Sequence, residues 1–360
     1  MKRVAIVGIQ GVPAQYGGFE TLVENIIGKN CSSTVKYTIF CSSKDYVVKK
    51  NEYKSAALKY IPLHANGMQS FLYDIVGMLR TLWGYDTVLI LGVSGCLFLP
   101  IYRLFYHKNL IINIDGLEHR RAKWGKFTKW ILKKSCDCAV KWANVVISDN
   151  QGICDYVKDT YGIDSVLIAY GGDHVMRNIS IKQQMIVLEK YHLQNKKYSI
   201  TICRIEPENN SHVILQAFEE SGKELVFVGN WNRSDYSRKL KQRYEKLPNI
   251  HLIESLYDLD ELYALRNQCS FYLHGHSAGG TNPSLVEAMF FGKPILAFDV
   301  VYNRETTQGK ANYFGDVEEL KKLVGMDYSE QIRNGKAMKE IAQKVYVWAN
   351  IAQQYESLYK

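Results

Sequence analysis

Apolar runs of strand length and apolar positions at helical spacing alternate along most of the chain. Lys2–Ile9 is a short apolar run, and Phe19, Leu22, Val23, Ile26 and Ile27 follow at the spacing of a helix face. The same succession predicts strands at Lys36–Cys41, Thr87–Gly92, Asn109–Asp115 and Asn144–Ser148, with helices at Ser70–Trp83, Lys126–Trp142 and Asn150–Tyr161. These strands are apolar throughout, the pattern of a parallel sheet covered on both faces. The pattern weakens between Gly171 and Lys197 and then restarts. Strands are expected at Tyr198–Cys203, Glu224–Gly229, Asn249–Glu254, Ser270–Leu273 and Pro294–Phe298, and helices at Ser211–Ser221, Asp235–Lys246, Leu259–Asn267 and Asn282–Phe291. The expectation is an α/β chain with two doubly wound, Rossmann-like domains facing a central cleft. They span residues 1–170 and 196–329, with a linker at 171–195. A helical segment, 330–360, ends the chain, with one long helix over about Glu330–Tyr359 packing back on the first domain. Ligands of open α/β sheets bind beyond the carboxyl ends of the strands, so the strand-end loops are where chemistry is sought.

Composition narrows the class. Apolar residues make up 47% and charged residues 22%, which excludes a disordered chain, a collagen and a coiled coil. No apolar run reaches the roughly 18 residues of a membrane span; the most apolar stretch, Thr87–Pro100, is soon followed by Arg103. The basic-then-apolar start, Met1–Gly8, reads as a first strand rather than a signal peptide. Eight cysteines include no CxxC pair, so neither a zinc site nor any other metal site is expected, and scattered thiols suit a reducing cytosol.

The net charge is +9, and it is uneven: residues 1–170 carry 21 Lys/Arg against 13 Asp/Glu, residues 171–360 carry 24 against 23. The densest stretch, Arg120–Lys141, has eight basic residues and one acid, Asp137. In it Trp124, Phe127, Trp130 and Ile131 alternate at helical spacing with Lys123, Lys126, Lys129, Lys133 and Lys134. A basic helix with an aromatic face suits an anionic membrane surface; the alternative is a solvated helix with its aromatics packed inward. No nucleic-acid recognition module accompanies the charge.

Four strand-end loops could carry chemistry. The first, Gln10–Thr21, has the pair Gly17-Gly18 at a helix start, where backbone approaches a ligand closely; it matches neither GxGxxG nor a P-loop. The second, Asn113–Arg120, places Asp115 and Glu118 after a buried strand, as sugar-hydroxyl acceptors or proton acceptors, unless Asp115 only braces a turn. The third, Cys203–Asn210, ends a strand on Arg204, whose guanidinium suits a phosphate; the alternative is an ion pair with Glu206 or Glu208. The fourth runs His274–Met289. Its Gly279-Gly280-Thr281 leads to Asn282 as N-cap and Pro283 as first helical residue, so a helix N-terminus is offered to a diphosphate, with Gly292 as C-terminal cap. Glu287, amid apolar neighbours, needs a buried partner; ribose hydroxyls are one, a neighbouring cation another. His274 and His276 read as polar contacts to phosphate or sugar.

Together these loops resemble bacterial GT-B glycosyltransferases of family 4, over nearly the whole chain. The nearest subgroup is rhamnosyltransferase-like, on Gly11-Val12-Pro13-Ala14-Gln15-Tyr16-Gly17-Gly18-Phe19-Glu20-Thr21, Asp115-Gly116-Leu117-Glu118, Arg121-Ala122-Lys123-Trp124 and His274–Met289. The resemblance implies that Arg204 binds the donor diphosphate, that Glu287, the second glutamate of an E-x7-E motif, holds the ribose, and that Gly280–Asn282 contact the diphosphate. Leu256 and Tyr257 would cradle the base, and Gly17 and Gly18 would close near the phosphates and the acceptor. It also implies a retaining, metal-independent transfer with no cofactor. Three positions depart from the family pattern: the first glutamate falls at Gly279, the diphosphate lysine at Asn209 and a first-domain histidine at Asp115. That histidine meets a sugar C6 hydroxyl, so its replacement fits a 6-deoxy sugar. The expected activity is transfer of L-rhamnose from dTDP-L-rhamnose to a saccharide on a polyprenyl diphosphate, at the cytoplasmic face of the membrane. A UDP-hexose transferase of capsule or O-antigen synthesis, or an inactive membrane-associated relative, are the alternatives; no nucleic-acid partner is expected.

Overall fold

The computed structural model describes residues 1–15, 17–29, 34–121 and 124–359. Tyr16, Ala122 and Lys123, which figure in the motifs above, and Cys31, one of the eight cysteines, lie outside them. The chain divides into two compact units, 1–170 with 348–360, and 171–347.

The first unit begins β1 (Lys2–Val7), α1 (Gly18–Gly28), β2 (Val35–Ser42), β3 (Glu52–Tyr53), β4 (Ala56–Ile61), α2 (Ser70–Leu79), β5 (Thr87–Leu91) and α3 (Leu99–Tyr102). It continues with β6 (Asn109–Asn113), α4 (Lys126–Trp142), β7 (Val145–Ser148), α5 (Gln151–Tyr161) and β8 (Val166–Leu167). The sheet order is β3-β4-β2-β1-β5-β6-β7-β8, parallel except for the β3–β4 pair. The chain steps one way from β1 to β2, and the other way from β4 through β5 and β6 to β7. With right-handed crossovers, α1 therefore covers one face and α2, α3 and α4 the other. Leu22, Val23 and Ile26 of α1 bury against Val4 and Ile6 on the first of these faces.

The second unit holds α6 (Ile181–Lys190), β9 (Tyr198–Ile202), α7 (Ser211–Ser221), β10 (Glu224–Val228), α8 (Asp235–Tyr244), β11 (Ile250–Ile253), α9 (Leu259–Gln268) and β12 (Phe271–His274). Then come α10 (Pro283–Met289), β13 (Ile295–Phe298), α11 (Val301–Thr306), β14 (Asn312–Phe314), α12 (Val317–Gly325) and α13 (Tyr328–Val345). Its sheet, β11-β10-β9-β12-β13-β14, is wholly parallel. Both units are Rossmann-like. The last helix, α14 (Trp348–Leu358), belongs to the first unit, where Trp348, Ile351 and Tyr355 enter its core. Asn109 Nδ2 donates to Leu358 O (2.9 Å), and Lys2 Nζ to Tyr359 O (2.6 Å).

Several expectations need correction. The expected linker, 171–195, belongs to the second unit and contains α6, closed by a Ser180/Gln183 capping box. Gln184 of α6 accepts from Asn267 and Gln268, tying it to the end of α9. The single helix over 330–359 is two. Tyr346 leaves helical geometry, its carbonyl accepts from Gly172 N–H and its hydroxyl donates to Thr306 O, so α13 stays with the second unit and α14 starts afresh. No glycine or proline marks that break. The second helix of the first unit stops at Leu79, four residues short of Trp83. The edge strands β3, β8 and β14 have two or three residues each, too few for a period-2 signal.

Asp74 of α2 is buried beneath the loop after β5, where it takes a hydrogen bond from the Ser94 hydroxyl. Desolvation pushes its pKa up to about 7 despite the hydrogen bonds from Ser94 and the Gly95 backbone. The folded state thus binds a proton that an unfolded Asp releases near pH 4, so this group lowers stability as pH rises from about 4 to 7. The melting temperature of Asp74→Asn relative to wild type is expected to rise between pH 5 and 8; a difference that does not change with pH contradicts the assignment.

Candidate active site

In the first unit the β1–α1 loop ends on Gly17, the N-cap of α1, at φ +121°. Only glycine adopts this backbone readily, and a Cβ there would lie 2.1 Å from Glu20 Oε2. Glu20, in the first turn of α1, folds back beneath the loop and accepts the Gln10 N–H (2.8 Å). Burial raises its pKa above the usual carboxylate range. One turn on, Glu24 accepts the Ala14 N–H (2.6 Å), while Tyr46 donates to Pro13 O (2.7 Å). The loop that carries Gly17 and Gly18 is thus pinned at three points. Gly17→Ala is expected to cost about 1–3 kcal/mol, read as a lower urea midpoint with an unchanged slope.

Asp115 follows β6 at φ +59° and donates its N–H to Asn113 Oδ1 (2.9 Å). Its carboxylate accepts from the buried Tyr170 hydroxyl at 3.4 Å, and the Tyr170 ring lies 6.5 Å from that of Phe19. The structure therefore brings the Gly17–Phe19 turn and the Asp115 turn together through Tyr170, a residue the sequence did not single out. Glu118 is a correction. Its Oε1 accepts from Trp124 Nε1 (3.0 Å) and its Oε2 lies 2.9 Å from Arg121 Nε. With both oxygens engaged in its own segment, Glu118 braces the turn and is not a poised proton acceptor.

In the second unit Arg204 leaves the end of β9 a third exposed, with Nη1 4.0 Å from Glu206 Oε1, the outer limit of an ion pair. Asn209 is buried and committed at both ends: Nδ2 donates to Arg204 O (2.5 Å), and Oδ1 meets His276 Nδ1 (2.5 Å). Asn210 Nδ2 donates to Gly275 O (2.9 Å), and a Cβ on Gly275 would come within 2.2 Å of Asn209 O. The loops after β9 and β12 are thus laced together. Asn209, which stands where the family pattern has a diphosphate lysine, and His276, expected to meet phosphate or sugar, bond to each other and fix the backbone that carries Arg204. His274 is enclosed, its Nε2 has no hydrogen-bond partner among the described residues, and desolvation lowers its pKa to about 3. It stays neutral, so any contact it makes is that of a neutral imidazole.

The start of α10 also departs from expectation. Asn282 is the N-cap and accepts from Ser284 N (3.0 Å), Pro283 has no N–H, and the N–H groups of Leu285 and Val286 return to Asn282 O. The first turn therefore returns the N–H groups of Ser284, Leu285 and Val286 to Asn282, and the N–H groups expected to meet a diphosphate are those of Gly280–Asn282 ahead of it. The Gly279-Gly280-Thr281 segment leads into that turn, with Gly279 at φ +118°. The helix ends at Met289, before the expected glycine cap, and Gly292 follows three residues later at φ +66°.

Glu287 has the buried partner its surroundings require, and it is a cation. Arg266 of α9 is 4% exposed, and its Nη2 lies 2.5 Å from Glu287 Oε2. His174 Nε2 stands 3.5 Å from the other oxygen, Oε1. Arg266 lay among the polar residues of α9 with no signal of its own; the lone carboxylate in an apolar helix was the only hint that a cation had to be near. Tyr257 is 65% exposed just after β11, open to a planar ligand.

The comparisons with known proteins fit this arrangement. Residues 1–173 match a family described as "Domain of unknown function (DUF1972)", and residues 187–324 match "Glycosyl transferases group 1". No curated protein matches the sequence. Among solved structures, sucrose-phosphate synthase from Thermosynechococcus elongatus superposes with TM-score 0.82 at 15% identity, covering 100% of this chain and 98% of that one. HepE of Anabaena in complex with UDP-glucose gives 0.78 at 16%, covering 99% of each chain. The catalytic domain of starch synthase IV from Arabidopsis thaliana, bound to ADP and acarbose, gives 0.72 at 12%, covering 99% and 98%. The fold is that of the GT-B class. The group 1 match lies within the second unit and supports a glycosyltransferase of that fold.

Proposed function

We propose that the protein is a retaining glycosyltransferase of family 4, in its rhamnosyltransferase-like subgroup, that moves L-rhamnose from dTDP-L-rhamnose to a saccharide on a polyprenyl diphosphate during cell-surface polysaccharide synthesis. The observation that carries the transferase reading is Arg204 at the end of β9, held by the Asn209–His276 lacing within the group 1 domain. The acceptor oxygen bonds to the anomeric carbon on the face from which the nucleoside diphosphate departs, and the acceptor proton leaves with that diphosphate. Arg204 and the Gly279–Thr281 backbone take up the charge that develops on the leaving group, with no metal. Glu287, oriented by Arg266, receives the ribose hydroxyls. The rhamnose assignment rests on Asp115 standing where a histidine would meet a C6 hydroxyl.

A second reading is a UDP-hexose donor, favoured by the structural likeness to HepE bound to UDP-glucose. Donor hydrolysis with EDTA present separates the two across dTDP-rhamnose, UDP-glucose, UDP-galactose, UDP-N-acetylglucosamine and GDP-mannose. Selective cleavage of dTDP-rhamnose is expected; preference for a UDP-sugar overturns the rhamnose assignment, and no cleavage with any donor favours an inactive relative. The site of action under this reading is the inner face of the cell membrane, with the basic segment 120–141 against anionic lipid. Among the described residues no helix is long and apolar enough to cross a membrane.

A further inference from the structure

The helices α2, α3 and α4 lie side by side on one face of the first sheet. The Thr81 and Tyr102 hydroxyls bond at 2.8 Å, linking the end of α2 to α3. Ser135 of α4 donates to Val93 O, just before α3, and Arg103 Nη2 to Asn144 Oδ1 (3.0 Å) just past α4. Each of the three turns its small or tyrosine side chains inward: Tyr73 and Gly77 of α2, Tyr102 and Tyr106 at α3, Ser135 and Ala139 of α4. Large apolar side chains stand in solvent on these helices and on the segments that follow α2 and α3. They are Leu79 and Trp83 four apart, the adjacent pair Leu104 and Phe105, and Phe127 and Trp130 three apart, with exposures from 43% to 78%. Phe127 and Trp130 stack on each other, ring centroids 6.3 Å apart.

An ordinary surface helix points such residues inward; here α4 exposes Phe127 and Trp130, and the segments after α2 and α3 expose Trp83, Leu104 and Phe105 beside it. The charge around them has one sign. Lys126, Lys134 and Lys141 are exposed along α4, whose one acid, Asp137, is held by Lys133 and Lys134. Asp86, at the start of β5, is held by Arg3 and Lys108. Apolar side chains that gain by leaving water, beside the exposed Lys126 and Lys141 in a segment of eight basic residues and one acid, match a bilayer surface whose headgroups are anionic.

We propose that this three-helix face inserts into the headgroup layer of an anionic membrane, and that Leu104 and Phe105 beside α3 are as much a part of the anchor as the basic helix α4. This deepens the reading above, in which the acceptor is lipid-linked, and it changes what binding should look like. A basic helix alone would be released by salt, because exposed charges more than about 10 Å apart are screened at 0.1 M. Insertion of apolar side chains survives salt.

The test is co-sedimentation of the full chain with vesicles of phosphatidylcholine alone or with one-third phosphatidylglycerol. Wild type is expected to pellet with the anionic vesicles and to remain largely bound at 0.5 M NaCl. The double variant Leu104→Ser/Phe105→Ser is expected to lose about tenfold in partitioning while keeping the wild-type melting temperature, since both side chains are already in water. No sedimentation of wild type overturns the proposal, as does full release at 0.5 M NaCl or wild-type partitioning of the double variant. A dimer by light scattering that the double variant dissolves, with no vesicle binding, overturns it in favour of a second copy of this chain. Donor hydrolysis without vesicles by the same variant reports on the transferase reading separately, because neither residue belongs to the proposed donor site.

Discussion

Arg266→Ala is expected to destabilise the second unit by about 3–5 kcal/mol, because it strands the Glu287 carboxylate in an apolar helix without its cation. Arg266 is 4% exposed and Glu287 only 16%, so solvent does little to replace the lost partner. A structural ion pair alone predicts that the double variant Arg266→Met/Glu287→Leu regains most of the stability, since paired apolar replacements are often tolerated. The donor site adds a further demand. If Glu287 holds the ribose, the restored double variant should remain unable to bind a nucleoside diphosphate, whereas its melting temperature approaches that of wild type. A double variant that recovers both properties would remove Glu287 from the site and leave it a packing residue.

The second large effect concerns turnover. Arg204→Ala is expected to lower kcat by roughly 10²–10³-fold, the usual cost of losing one donor to charge that develops in the transition state. Its side chain is more than a third exposed and its ion pair with Glu206 is at 4.0 Å, so stability should change little. Arg204→Lys should recover little, since a point charge does not reproduce the planar fork that meets two phosphate oxygens. Asn209→Ala offers a contrast. Its amide bridges Arg204 O and His276 Nδ1, so the variant should lower kcat less than Arg204→Ala and lower the melting temperature more. Near-normal turnover in Arg204→Ala sinks the role assigned to the guanidinium.

Much of this was legible in the sequence where physics is local. The apolar runs of β1, β5, β6, β9 and β10 have no helical alternative at their length, and α4 and α7 were bounded to the residue by their periodicity. Asn282 and Pro283 announced their cap positions through backbone chemistry alone. What was illegible depended on partners distant in the chain. Nothing near Tyr346 marks the break between α13 and α14; it is imposed by a hydrogen bond to Thr306, forty residues away. The α6 segment was read as a linker because it leaves Ile181 and Ile186 exposed, which blurs its apolar face. In the site, the need of Glu287 for a partner could be read, but the choice between a ribose and a cation could not. Asn209 stands where the family pattern has a lysine and His276 follows a strand end; their closing on each other is a tertiary fact that no local pattern carries.

The central claim is that the second unit holds a nucleoside diphosphate between Arg204, the Gly279–Thr281 backbone and Glu287. Titration calorimetry of the full chain with dTDP and UDP, in EDTA, tests it most directly, with Glu287→Gln alongside. That variant keeps the shape of the side chain and an acceptor for Arg266. The account predicts micromolar binding of at least one nucleotide to wild type, weakened at least tenfold in Glu287→Gln and in Arg204→Ala. Absence of binding to wild type, or affinities unchanged in both variants, contradicts it.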